Sequence, residues 1–318
     1  MVRVAPDDLR IFVFNIFRKI PLNKEHAKLI SELLVDTDLR GVFTHGVSKV
    51  ERYVSSFLNG KANTHPNITI LRDGPVTAVL NGDGGIGIIV ATQAMHIAIS
   101  KAKQMGVGVV TTTYHDHIGS AGKYVRIAMR EKMIGICFSG RNAAPEYNYN
   151  DSIQASIQGS PPIAFGIPPI RNGKYFLLDM GSAIPWDEEC FRKIPQIYFK
   201  FIGLSHIANI LSGTLGGQML PEFNRKHIEY SGADQSAFFL SLDIGHFVPP
   251  KAFMEDIEHL IKETAKMKPL LGLSEATLPG GVEWKRESKF MKEGIPISYI
   301  TKKSLEKLAN EFSVQIPW

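Results

Sequence analysis

Tyr114-His115-Asp116-His117-Ile118-Gly119-Ser120-Ala121-Gly122-Lys123-Tyr124 is the stretch on which the fold turns. Ahead of it, residues 107–113 form an apolar, β-branched run that predicts a buried strand. Behind it, Ala121, Tyr124, Val125, Ala128 and Met129 recur at i, i+3, i+4, i+7 and i+8, which predicts a helix. Two histidines and a carboxylate therefore stand on a strand-to-helix turn, beside small residues that let backbone N–H groups approach a ligand. Such turns hold reactive side chains on a rigid scaffold, yet His and Asp at a helix start also serve as plain caps. The pattern alone leaves both readings open.

Outward from this turn, the N-terminal side is helical. Residues 8–20 place Leu9, Phe12, Val13, Ile16, Phe17 and Ile20 on one face. A second helix follows Asn23, its candidate N-cap, and runs out near Leu39-Arg40-Gly41. A third, with Val50, Tyr53, Val54, Phe57 and Leu58 inward, is stopped by Gly60. The pattern then changes. Residues 68–71 and 76–80 flank Asp73-Gly74-Pro75 and predict two strands around a tight turn. Gly82-Asp83-Gly84-Gly85-Ile86-Gly87 opens a long helix ending near Gly106.

On the C-terminal side, residues 133–139 predict a strand leading to the polar turn Gly140-Arg141-Asn142. The loop Gln158-Gly159-Ser160-Pro161-Pro162 precedes a short run at 163–167, and residues 175–178 predict a strand ending at Asp179. Residues 201–220 and 250–267 predict helices and 236–242 a strand. A polar linker, a short strand at 297–300 and a helix at 304–312 close the chain. There is no internal repeat.

The 318 residues exceed one typical domain, and 44% hydrophobic content is ample for a core. The net charge is +5, but Lys and Arg are interleaved with acids. With no basic block, nucleic acid is not expected as a partner, and the surplus suits anionic small molecules. Cys137 and Cys190 have no metal-ligand spacing and read as reduced thiols. No apolar stretch is long enough for a membrane span and no signal sequence is legible, so a cytoplasmic location is expected.

Gly82-x-Gly84-x-x-Gly87 matches the dinucleotide fingerprint, but the preceding strands suggest an antiparallel hairpin rather than the start of a βαβ unit. His115, Asp116 and His117, even with His45, lack the spacing of a metal site, so no metal is expected. His45 stands between two helices, where capping or packing is the plain alternative. Lys200 precedes a predicted helix, where it is either an ordinary solvated lysine or a phosphate or ribose contact.

Together these pieces resemble the type-2 malate/L-lactate dehydrogenase family. Asp38-Leu39-Arg40-Gly41 with Thr44-His45-Gly46-Val47 is similar to its "dlrGvdSHGv" start, and His117 to Tyr124 to its "HfGaaGyY" segment. Leu178-Asp179-Met180-Gly181-Ser182-Ala183 resembles "lDmatSa", Lys200-Phe201-Ile202-Gly203-Leu204 resembles "yKGyGL", and Leu278-Pro279-Gly280-Gly281-Val282-Glu283-Trp284 resembles "lPGepew". The segments keep the family's order across nearly the whole chain.

The resemblance implies a non-Rossmann α/β (α+β) fold with a mixed, largely antiparallel sheet and a helical N-terminal part. It implies a homodimer, with residues 1–72 plus 296–318 as the helical, dimerising and substrate-side domain. Residues 73–295 would bind NAD or NADP. It demotes the glycine match to a turn, and implies hydride transfer between a nicotinamide and a small 2-hydroxy or 2-oxo acid, or a related cyclic imine. His117 is then the expected acid/base and His45 its partner in orienting substrate or relaying the proton. An imidazole suits that role because its pKa lies near neutrality. Thr44, Lys49 and Arg52 are expected on the substrate, and Asp179, Met180, Gly181, Ser182, Lys200, Gly281, Val282 and Glu283 on the cofactor.

Several positions depart from the family pattern. Lys49 replaces an arginine and loses its bidentate fork. Phe201 replaces a glycine beside Lys200, and Gly281 replaces an acid, which removes a possible ribose contact. The chain is also shorter than the family between Trp186 and Pro195, either a trimmed loop or the loss of an element over the cofactor. These departures motivate a rival expectation, a non-catalytic homologue that binds a metabolite. A metal-dependent lyase stands behind both.

Overall fold

The computed structural model describes residues 2–141, 149–156, 160–168, 173–220 and 229–318. Asn142, Gln158 and Gly159, expected in loops, lie outside them. In chain order, β1 (Val2–Val4) leads into α1 (Pro6–Phe17), α2 (Lys24–Leu39) and α3 (Val50–Leu58). The hairpin β2 (Thr69–Asp73) and β3 (Thr77–Asn81) is followed by α4 (Gly87–Met105), β4 (Val107–His115), α5 (Gly122–Arg130) and β5 (Ile134–Gly140). Next come β6 (Pro162–Ile167), β7 (Phe176–Gly181), α6 (Glu188–Lys193) and α7 (Pro195–Asn209). The chain closes with β8 (Gln235–Leu242), α8 (Pro250–Thr264), α9 (Gly281–Glu293), β9 (Ile295–Ile297) and α10 (Tyr299–Phe312).

Seven strands form one sheet in the order β2-β3-β4-β8-β5-β6-β7. Only β3 and β4 run parallel; the other neighbouring pairs are antiparallel. The mixed, largely antiparallel sheet expected from the sequence is therefore present. Strand β4 is buried along almost its whole length, as a central strand covered on both faces must be. Alternation divides its neighbours. Cys137 and Phe239 face α4 and α5, whereas Phe138 and Phe238 face the α7 side. A separate helical core joins α1, α2, α3 and α10, and β1 pairs with β9 beside it.

Asn23 caps α2 as its position predicts, its side chain accepting the His26 N–H at 2.7 Å. An Asn23→Ala variant should lose about 1 kcal/mol in urea unfolding, with the slope of the transition unchanged.

Four expectations need correction. The glycine turn is preceded by an antiparallel hairpin, but β3, α4 and β4 also form a parallel crossover, so the chain contains both arrangements. Helix α7 begins at Pro195 rather than at 201, because proline suits a first helical position, and it passes at its C-terminus into a π-helical turn, Ile210–Thr214. Lys200 thus lies inside a helix, exposed, away from any free helix N–H groups. The stretch expected as a polar linker contains α9, whose only buried residue is Phe290, so a solvated helix left no apolar stripe to find. Finally, β9 ends at Ile297 because Ser298 caps α10, accepting the Thr301 N–H.

Candidate active site

The turn after β4 is held by a side chain that does not cap α5, for the α5 N-cap is Ala121, without a side-chain bond. Asp116 instead accepts the His117 N–H (2.5 Å) and the Arg52 guanidinium (3.2 Å) on Oδ1, and the Ser56 hydroxyl (3.2 Å) on Oδ2. It ties the turn to α3. His115 is fully buried and structural: its Nδ1–H donates to the Asp116 carbonyl and its Nε2 accepts from Thr112 Oγ1. Burial pushes its pKa down to about 4.

His117 is placed differently. The Gly119 N–H donates to its Nδ1 at 3.1 Å, and the buried Tyr53 hydroxyl lies 3.2 Å from the same atom. With Nδ1 accepting, the neutral ring carries its hydrogen on Nε2, a donor toward a carbonyl oxygen. If Nδ1 takes the proton instead, Tyr53 Oη can accept it and Nε2 becomes a base. The tyrosine hydroxyl can serve either tautomer, but the Gly119 N–H needs an unprotonated Nδ1 and so favours the first in the resting site.

His45 closes the 3₁₀ turn Phe43–His45 after α2, with its Nδ1 2.9 Å from Thr44 Oγ1. Its ring stacks on that of His117, with centroids 5.9 Å apart and planes inclined by 21°. Burial, followed by Lys123, Lys49 and Arg52, lowers the His45 pKa to about 4. Burial and then Arg52 and Lys123 push His117 down to about 2. Both rings are therefore neutral at physiological pH.

Two cavities meet at this pair. The larger, about 640 Å³, runs from Arg40, Thr44 and His45 along β7 to the Pro279–Glu283 turn. The smaller, about 250 Å³, is bounded by His45, Arg52, His117 and Arg141. His45, Ser160 and Pro162 border both. Three side chains lining the larger cavity carry buried polar atoms with no hydrogen-bond partner among the described residues: Arg40 Nη2, Ser120 Oγ and Asp179 Oδ2. Two donors beside one acceptor suit a ligand with amide or ribose character. Burial raises the Asp179 pKa. Among the described residues no group of His, Cys, Asp and Glu could hold a metal ion, and no helix is long and apolar enough to cross a membrane.

Residues 4–186 match the family model for malate/L-lactate dehydrogenase. The chain belongs to the malate/L-lactate dehydrogenase family. It is 31% identical to malate dehydrogenase of Pyrococcus horikoshii, over 99% of this chain and 96% of that one. It is 28% identical to L-sulfolactate dehydrogenase of Methanocaldococcus jannaschii, over 98% of each. The solved P. horikoshii malate dehydrogenase superposes with a TM-score of 0.84 at 30% identity, covering 99% of this chain and 96% of that one. As a malate/L-lactate dehydrogenase family member, the chain is an oxidoreductase acting on CH–OH donors.

Within this family member the expected residues separate into those at the cavities and those behind them. Thr44, His45, Asp179, Met180, Gly181, Val282 and Glu283 line the larger cavity; Arg52 and His117 line the smaller. Asp179 to Gly181 belong to β7 itself rather than to a loop beyond it. Ser182 is buried behind the wall, where its carbonyl and hydroxyl both meet Ser205 Oγ at 2.9 Å, tying β7 to α7. Gly281 adjoins the wall, and any side chain there would overlap Thr277 Oγ1, which accounts for the missing acid. Lys49 borders neither cavity but still acts on both imidazoles through its charge. Lys200 borders neither. Arg141 was not singled out by the sequence. Its backbone N–H donates to Asn209 Oδ1 (3.0 Å) and its guanidinium pairs with Asp234 (3.0 Å), which fixes it at the smaller cavity that Arg52 also lines. Nothing in the local sequence signals that placement.

Proposed function

We propose that this chain interconverts small 2-hydroxy and 2-oxo acids, or a related cyclic imine, using NAD or NADP. The observation carrying this reading is the stacked His45–His117 pair at the junction of two cavities, with Arg52 and Arg141 at the smaller one. A nicotinamide nucleotide in the larger cavity supplies the hydride acceptor or donor. Arg40, Ser120 and Asp179 would hold its polar groups, with Val282 and Glu283 farther along the wall.

The residues of the chain do the rest. Arg52 and Arg141 hold the substrate carboxylate, placing C2 near the cavity junction. In oxidation the hydroxyl proton would pass to His117 Nε2 with the ring's other hydrogen on Nδ1 toward Tyr53 Oη, and in reduction Nε2–H would return it to the substrate oxygen. The carboxylate also prepares the base. Arg52 depresses the His117 pKa, so a bound anion that offsets Arg52 raises the basicity of the ring as substrate arrives. The same reading includes a homodimer, with residues 1–72 plus 296–318 toward the partner and 73–295 as the cofactor-binding part, to which Arg40 after α2 adds a contact.

The test is a fluorescence titration of purified protein with NADH and NADPH, then a screen of 2-oxo acids and cyclic imines. Saturable binding of one nucleotide, with turnover, supports the reading. An Arg141→Leu variant should then raise KM for the acid by on the order of tenfold to a hundredfold, with a smaller change in kcat. Failure of a folded protein to bind either nucleotide favours the non-catalytic homologue. One observation keeps that rival in view: the alignment with P. horikoshii malate dehydrogenase spans 353 positions, more than the 318 residues of this chain.

A further inference from the structure

Each imidazole of the pair is followed by a glycine that rests on a buried charged side chain. Gly46, after His45, lies directly on the Asp38 carboxylate, and a methyl group there would overlap it. Asp38 Oδ2 also accepts the Val47 N–H at 2.9 Å, so it holds the His45 loop from below. Gly119, two residues after His117, lies on Lys123 Nζ, and a methyl group there would overlap the ammonium. The N–H of that same glycine is the one bonded to His117 Nδ1. Lys123 is fully buried in the first turn of α5, and its Nζ has no hydrogen-bond partner among the described residues. A fully buried lysine of this kind is rare without a specific use.

The groups facing Lys123 come from every element around it. Helix α2 contributes Asp36, Asp38 and Arg40, and β7 contributes Asp179. His45 and His117 feel its charge from their loops, and Tyr53 Oη of α3 stands close to the same glycine. Burial, then Arg40, bring the Lys123 pKa down to about 7, and burial brings that of Asp38 up to about 7.

We propose that Lys123 is a positioning residue for the imidazole pair, bracing the His117 loop from beneath as Asp38 braces the His45 loop, and setting its charge beside both rings. This rests on the proposed function for its catalytic meaning, but its electrostatic core does not. A cation enclosed in low dielectric acts strongly on neighbours a few ångströms away. Removing it therefore makes both rings easier to protonate. The base must be neutral to accept the hydroxyl proton, so the acidic limb of the pH profile in the oxidative direction moves to higher pH.

The experiment is an NMR titration of the imidazole C–H resonances of His45 and His117 in ligand-free protein, for wild type, Lys123→Met, Lys123→Arg and Lys123→Gln. In Lys123→Met both transitions are expected to rise by about one pH unit, with the acidic limb of kcat/KM following. Lys123→Arg keeps the charge and should restore the wild-type values. Unmoved transitions in a folded Lys123→Met protein overturn the proposal. If that variant does not fold, Lys123→Gln, which removes the charge but keeps a polar end, decides, because unmoved transitions there overturn it equally. The titration needs neither cofactor nor turnover, so failure of nucleotide binding would count against the proposed function without touching this result.

Discussion

Replacing His117 with alanine is expected to lower kcat by about a thousandfold, within the range general acid–base groups contribute. Nucleotide affinity should change by only a few-fold, since His117 lines the smaller cavity and not the larger one. The loss has two sources. The proton acceptor disappears, and the Gly119 N–H and the buried Tyr53 hydroxyl lose the nitrogen they share. The second effect loosens the loop, so His117→Asn, which keeps a polar acceptor, should recover stability without recovering turnover. Steady-state kinetics beside urea unfolding separates the two. Wild-type turnover in a folded alanine variant would remove His117 from the chemistry, and with it the proposed division between the imidazoles.

Gly87→Ala is expected to be a severely damaging conservative change outside the cavities. The added methyl group would overlap the carbonyl of Asp116 and the carbonyl group of His117, both backbone, which cannot swing aside as a flexible side chain can. Either the N-terminus of α4 or the turn at residues 114–117 must move, at a cost of about 3 kcal/mol or more. What folds should lose turnover by about a hundredfold or more, because a displacement of an ångström at the reacting groups is that expensive. Gly203→Ala is the control. A methyl group on that α7 glycine meets nothing, so the exchange should be neutral or stabilise by up to about 1 kcal/mol. Equal melting temperatures for Gly87→Ala and wild type would show that the contact relaxes freely.

The Gly87 result also bears on what could be foreseen. The fingerprint-like glycines were visible in the sequence, but their use was not. They let the turn pack under residues 114–117: Gly82 and Gly84 donate to the carbonyls of Thr113 and Tyr114, and the Gly85 carbonyl accepts the Asp116 N–H. They brace the candidate site from beneath. The strand-to-helix turn itself, the three opening helices and the Asn23 cap were legible because each has a strong local signature. Helix α9 was not, for its single buried residue carries no periodicity. Arg141 and Tyr53 mark the other boundary. Each reaches the site through a partner distant in sequence, Asn209 for one and His117 for the other, and spacing along a chain does not encode such meetings.

His45 stands in the wall of both cavities, together with Ser160 and Pro162. Under the proposed function, a side chain shared in this way makes the dinucleotide and the acid thermodynamic neighbours. Whatever factor a bound dinucleotide adds to the affinity for the acid, the acid must return to the dinucleotide, because a coupling free energy has a single value for both. Discrimination among acids is thereby written partly into cofactor affinity, and a change in the imidazole wall is felt by two ligands at once.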